Sequence, residues 1–245
     1  MNLIPLLTAP NASAAFVNEL NLVIKLDDAR FGSFGGNELA DYYAKFQSVV
    51  DGFDLKVEAI NSIQQKNCWL EEVELNLHRQ DQTIRLPVAI VYDQTNQGLH
   101  IRLYYSNYPI DQSHIGRSAI LSASHDLTFP EPVARYQKAF AKGDLDATLA
   151  MYELNATIRE PGGVVFGSSG QPTLKDFYSL LYSFGGGIPL EHCNAITNDK
   201  SCAIEYNIVK VGSNHYSPQP GVAIYDYQDN KLTGARIYDD FVPSH

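Results

Sequence analysis

Apolar positions in the second half of the chain fall first at helical spacing and then at alternation. Val133, Tyr136 and Phe140 share one side of a helix that opens near Pro132, where a missing N–H costs nothing, and stops at Gly143. Asp144 then caps a second helix carrying Leu145, Leu149 and Met151-Tyr152. Ala156 to Glu160 reads as a short strand halted by Pro161-Gly162-Gly163. A third helix spans about Thr173 to Phe184, with Leu174, Phe177, Tyr178 and Leu181 on one face. Four strands follow, Leu190–Thr197, Cys202–Val211, Gly221–Gln228 and Leu232–Asp240, each pair separated by Asn, Asp, Gly or Ser turn residues. The first half shows the same run of strands at Leu55–Ile63, Cys68–Leu77, Ile84–Tyr92 and Leu99–Tyr105. Helices followed by a meandering sheet predict an α+β fold.

The two halves repeat. Val88 to Asn96 aligns with Val222 to Asn230, and the same frame puts Arg102 on Arg236, Tyr104 on Tyr238 and Pro109 on Pro243. Phe31–Gly35 lies over Phe166–Gly170, followed by Leu39/Leu174, Asp41/Asp176 and Tyr43/Tyr178; Glu19-Leu20-Asn21 matches Glu153-Leu154-Asn155. The offsets are 134, 135 and 134 residues, the length of a domain rather than of a solenoid repeat. The alignment divides the chain into residues 1–128, a copy plus linker, and 129–245, a complete copy. About a dozen residues precede the first copy's counterpart of the second helix, too few for the opening long helix. Ile110 to Pro132 is the linker, ended by Pro130 and Pro132. The expected architecture is two tandem cone-like domains, each a curved antiparallel sheet wrapped by helices, packed as a pseudo-dimer within a monomer.

Composition narrows the partners. Of 245 residues 44% are hydrophobic and 19% charged, which suits a buried core. Eighteen basic against 28 acidic side chains give a net charge of −10, which argues against nucleic acid and anionic membranes. No apolar run reaches the roughly 18 residues of a membrane span. The N-terminus lacks the basic region of a secretory signal, and Cys68, Cys193 and Cys202 leave an odd thiol, so a reducing cytoplasm is expected. Without secretion, Asn11-Ala12-Ser13 and Asn155-Ala156-Thr157 carry no glycosylation meaning. Phosphate-loop, nucleophile-elbow and zinc-protease motifs are absent, and the glycines of 31–36 and 166–170 do not follow a buried parallel strand. No cofactor and no metal site is expected.

Tyr136, Gly143-Asp144-Leu145-Asp146, Ala156-Thr157-Ile158-Arg159-Glu160-Pro161 and Arg236-Ile237-Tyr238-Asp239-Asp240 together resemble the nuclear transport factor 2-like superfamily. The ketosteroid isomerases and SnoaL-like polyketide cyclases are the branches most alike. The resemblance covers residues 130–245 and, through the repeat, 10–110. It implies that Tyr136 donates a hydrogen bond to a substrate oxygen and that Glu160 holds the place of the proton-shuttling carboxylate. The isomerases' third element, a protonated aspartate, falls at Ala223, which removes one oxyanion donor. The cyclases and related epoxide hydrolases carry an aspartate in Arg-x-Tyr-x-Asp, which implies a role for Asp240; strand alternation puts Asp239 on the face of Ala235 and Ile237 instead, so both aspartates are candidates. In the first copy Lys25 takes the place of Glu160, Tyr105 and Ser106 those of Asp239 and Asp240, and Tyr136 has no counterpart.

The expected activity belongs to the second copy: a small hydrophobic or carbonyl-containing ligand held in its cone, with Phe140, Phe177, Tyr206, Tyr225 and Ile237 as lining and cofactor-free acid–base chemistry of isomerase, cyclase or hydratase type. The rival is a non-catalytic ligand-binding or interaction module whose cone is filled by its own tyrosines and phenylalanines. An interior of about 300 Å³ or more, with carboxyl groups inside, separates the two.

Overall fold

The computed structural model describes residues 23–167 and 172–243. Asn11-Ala12-Ser13, the Glu19-Leu20-Asn21 match, the missing first helix of the first copy and Ser168–Gly170 of the glycine alignment lie outside the described residues. The chain forms two compact units, one of residues 23–62 with 66–113, the other of 63–65 with 114–243. The expected linker therefore straddles the division, and residues 114–128 go with the second unit.

The first unit runs β1 (Val23–Asp28), β2 (Gly32–Phe34), α1 (Leu39–Val50), β3 (Asp54–Gln64), β4 (Cys68–Arg79), β5 (Gln82–Thr95), β6 (Gly98–Tyr104) and the short α2 (Tyr108–Asp111). The second runs α3 (Glu131–Lys142), α4 (Leu145–Leu149), β7 (Tyr152–Arg159), β8 (Val165–Gly167), α5 (Leu174–Tyr182), β9 (Leu190–Thr197), β10 (Ser201–Val211), β11 (Asn214–Gln228) and β12 (Lys231–Tyr238). The sheets have one topology, β2-β1-β6-β5-β4-β3 and β8-β7-β12-β11-β10-β9. The protein is thus an α+β chain of two tandem units.

Local chemistry explains the second unit's helices. Gly143 ends α3 at φ 69°, and a Cβ there would lie 2.6 Å from the Gly187 nitrogen, so glycine is required twice over. Asp144 accepts a hydrogen bond from Ala147 N at 3.0 Å and caps α4. Thr173 and Asp176 form a reciprocal capping box on α5. The buried faces of α3 and α5 meet the sheet's inner face, where Ile204, Tyr206, Ala223, Tyr225 and Ala235 alternate with outward residues.

Three expectations need correction. The sheets are mixed: β1 pairs parallel with β6, and β7 with β12, whereas the hairpin pairs are antiparallel. Pairing between a unit's first and last strands is long-range and leaves no trace in local spacing. Second, the repeat frame slips. Ile101 pairs with Leu26 as Ala235 pairs with Ile158, and Leu26 pairs with Phe34 as Ile158 pairs with Phe166. Phe34, not Phe31, is therefore the counterpart of Phe166, and Asp28, not Lys25, that of Glu160.

Third, β5 and β11 correspond one residue away from the best identity match. Thr95 opposes Gly98 and Gln228 opposes Lys231 at the two hairpin turns, but an irregularity at Thr233 then advances β12 by one residue. Inward Ile90 thus matches inward Ala223, and Tyr92-Asp93 matches Tyr225-Asp226. The ion pairs agree with this frame: Arg102 Nη1 lies 3.7 Å from Asp93 Oδ2, and Arg236 binds Asp226.

Candidate functional site

Alternation along β12 turns Ala235 and Ile237 inward, and Asp239, just past the strand, continues that side. β10 and β11 add Tyr206, Ala223 and Tyr225; α3 adds Tyr136 and Phe140; α5 adds Phe177. Glu160 enters from the end of β7. These side chains enclose a cavity of about 350 Å³ in the second unit. Of the candidate residues, Tyr136, Glu160, Asp239, Phe140, Phe177, Tyr206, Tyr225 and Ile237 all line it. Asp240 does not. Its carboxylate turns away to His114 Nδ1 at 3.0 Å and to Ile115 N at 2.6 Å, pinning the segment that enters the unit.

Asp239 is the buried acid of the cavity wall. It is 8% exposed, accepts from the Tyr206 hydroxyl at 2.8 Å and from Phe241 N at 3.3 Å. Burial drives its pKa upward, and the charges of Asp240 and Glu160 push the same way; the two hydrogen bonds pull back without cancelling them, leaving it at about 6. Glu160 is half-buried at the other side, its Oε1 accepting from Val164 N at 2.8 Å across the Pro161-Gly162-Gly163 turn.

A glycine fixes the Tyr206–Asp239 pair. Gly221 lies directly across the ladder from Tyr206, and a Cβ there would sit 2.7–2.8 Å from the tyrosine ring and hydroxyl. The bare backbone lets the ring lie along the sheet with its hydroxyl on Asp239. The sequence pattern starts this strand at Gly221, whereas β11 begins at Asn214, which makes the glycine an interior position where a close approach is marked.

The tyrosines form a second polar group. Tyr152 and Tyr178 hydroxyls are 2.6 Å apart, and Tyr178 donates to Tyr136 at 2.9 Å. Of the three only Tyr136 lines the cavity. Burial raises all three pKa values, Tyr136 and Tyr178 well above the usual phenol range, which keeps the hydroxyls protonated. Behind the wall, Gln137 donates to the Tyr225 hydroxyl at 2.9 Å and meets His192 Nε2 at 3.2 Å. Burial depresses the His192 pKa. Tyr178 was visible on the apolar stripe of α5; its partnership with Tyr152 was not, since a hydroxyl contact between a helix and a strand has no sequence period.

Among the described residues the lining holds two carboxyl groups and three phenols and no lysine, arginine or histidine. Such a cavity accepts a neutral polar atom beside a phenol and opposes an anion. Among the described residues no three His, Cys, Asp or Glu side chains converge as a metal site requires, and no helix is long and apolar enough to cross a membrane.

No family model matches the chain, and no curated protein sequence matches it significantly. Solved structures do. A candidate polyketide cyclase from Sinorhizobium meliloti is 16% identical, with TM-score 0.38, over 44% of this chain and 94% of its own. A Catenulispora acidiphila protein with a ketosteroid isomerase-like fold, in complex with trimethylamine, is 15% identical with TM-score 0.38, over 45% of this chain and 86% of its own. An LEH-like epoxide hydrolase from M. tuberculosis is 16% identical with TM-score 0.36, over 44% and 80%. Each match spans less than half of this chain, the size of one unit.

Proposed function

We propose that the second unit binds a small, largely apolar carbonyl compound and moves a proton on it without a cofactor. The observation that supports this reading is Asp239: a buried acid inside a cavity of about 350 Å³, held by Tyr206 and poised near pH 6. Glu160 is the base that removes a proton from the carbon beside the carbonyl. Tyr136 donates to the carbonyl oxygen, and protonated Asp239 supplies the proton that completes the enol. Glu160 exchanges the proton it took with solvent and returns a solvent proton to the carbon. The enol O–H gives its proton back to Asp239, which regenerates the ketone with its hydrogen exchanged and both acids in their starting forms. The chain works as a monomer, and the first unit has no part in the chemistry.

The test is deuterium exchange of a cyclic enone or a β-keto ester, followed by NMR, in the wild type, Glu160→Gln and Asp239→Asn. Exchange above the buffer rate that drops at least a hundredfold in both variants is expected. Exchange by the wild type should also decline as pH rises through about 6, because the acid form of Asp239 is the one that donates to the enolate oxygen. Equal rates in all three proteins, or no exchange with any probe, would overturn the reading and leave a ligand carrier.

A further inference from the structure

The cavity's polarity is inverted from depth to mouth. Its deep wall carries Tyr136, Tyr206, Tyr225 and Asp239, none more than 8% exposed. Its lining also includes Val164 and Leu180, which are 51% and 63% exposed and so mark where it opens. Two of the eight large apolar side chains left in solvent among the described residues, Val164 and Leu180, therefore stand at this opening. A cavity that admits a compact polar metabolite has no use for an apolar rim, whereas a rim continuous with the interior suits a ligand whose apolar part protrudes.

We propose that the ligand is a neutral, unbranched carbonyl compound of medium chain length, its carbonyl among Tyr136 and Asp239 and its alkyl tail leaving over Val164 and Leu180. This rests on the reading of the cavity as a carbonyl site and adds the tail, its direction and the neutrality of the head. Fatty acids are disfavoured by their heads, since a carboxylate would enter beside Glu160 and Asp239 with no cation among the described lining residues to meet it.

Isothermal titration of the full chain with 2-butanone, 2-hexanone, 2-octanone and 2-decanone, and with octanoate, tests this. Affinity should rise up to about fourfold per added methylene. In Leu180→Glu, an exposed position that leaves the core intact, the gain from the longer members should disappear. Octanoate should bind at least tenfold more weakly than 2-octanone. Binding that does not change with chain length, a gain that survives in Leu180→Glu, or octanoate equal to 2-octanone would overturn this inference while the carbonyl site stands. Failure of every ketone to bind the wild type would overturn the site itself.

Discussion

The two units share a strand order but not an interior. Where the second unit places Ala223, Ala235 and Gly221 on its inner face, the first places Ile90, Ile101 and Val88 at the matching positions. Aliphatic side chains from β4, β5 and β6 then occupy the space, and what remains is about 30 Å³, room for one water. The second unit keeps about 350 Å³. The acids differ in the same sense. Asp28, the counterpart of Glu160, is 1% exposed and takes hydrogen bonds from Tyr105 at 2.8 Å, Tyr42 at 3.2 Å, Arg30 N at 2.7 Å and Phe31 N at 2.9 Å. It is a structural anchor. Tyr105 itself stands where the second unit has Asp239. One fold thus yields a packed body or a hollow one through a few changes of side-chain volume, with the carboxylate buried under four hydrogen bonds in the first case and half-buried, accepting from Val164 N, in the second.

Refilling the hollow gives the largest expected effect. Ala223→Ile restores the first unit's residue inside the second unit's cavity. The added atoms compete directly with any ligand, and binding of 2-hexanone should weaken ten- to hundredfold by calorimetry. The converse change, Ile90→Ala, should enlarge the first unit's void at a cost of about 2–5 kcal/mol in unfolding free energy, without creating a carbonyl site, because Asp28 has no free edge to offer.

Next in size is the opposite pH response of two buried aspartates. Asp239 has its folded pKa raised to about 6, so the folded state binds the proton more tightly than the unfolded chain does. Its contribution to stability is complete below pH 4 and is lost as pH rises through 6. Asp239→Asn should therefore raise the unfolding free energy by up to about 3 kcal/mol at pH 7 and hardly at all at pH 4. Asp27 of the first unit behaves inversely. Burial alone would raise its pKa, but His100, Ser33 and Lys25 together hold it at about 2, so its stabilisation is present above pH 4 and lost as pH falls through 2. Asp27→Asn should cost on the order of 2 kcal/mol at pH 7. Denaturant melts of both variants at pH 4 and pH 7 check the signs.

These contrasts show what was and was not legible in the sequence. The α+β class and the four-strand run of each half follow from turn residues and alternation, and β9 was readable at Leu190–Thr197 to the residue. The lining residues were legible too, because Tyr206, Tyr225 and Ile237 occupy alternate positions on strands that face a known helix stripe. The frame of the repeat was not. Val88-Ala89-Ile90 copies Val222-Ala223-Ile224 letter for letter, yet Val88 and Ile90 face the core while Val222 and Ile224 face away from the cavity. Identity follows side-chain type, whereas a single bulge residue such as Thr233 exchanges the two faces of everything beyond it. A separate slip between β1 and β7 hid Asp28 behind Lys25, and with it the fact that both units keep a carboxylate at the end of the first strand. The rotation of Asp240 to His114 and Ile115 was equally out of reach, since it depends on a segment more than a hundred residues earlier.

Gly221 sharpens the comparison at a smaller scale. The first unit has Val88 at this position opposite Val73, where both side chains fit. In the second unit the same cross-strand pair is Gly221 and Tyr206. Gly221→Ala would force the ring off its place and cost about 1–3 kcal/mol by overpacking. The more telling readout is the titration of Asp239: with the Tyr206 hydroxyl displaced, a hydrogen bond that favours the ionised form is lost, and the carboxyl stretch seen by infrared should titrate above pH 6. An unchanged midpoint would mean that Tyr206 does not set the acid's strength.

The smallest effect compares the two helices that follow the second strand of each unit. α5 begins with Thr173 accepting from Asp176 N at 3.1 Å and Asp176 accepting from Thr173 N at 2.8 Å, whereas α1 begins at Glu38 with no side-chain hydrogen bond to the helix. The box also lowers the Asp176 pKa through the bonds from Thr173. Thr173→Ala should therefore cost about 1 kcal/mol, with some of that cost removed in acid as Asp176 protonates, and Glu38→Ala should cost only a few tenths. Because α5 carries Phe177 and Leu180, fraying at Thr173 should also weaken 2-octanone binding more than 2-butanone binding. Equal losses for both ketones would place the effect on the whole cavity rather than on its rim.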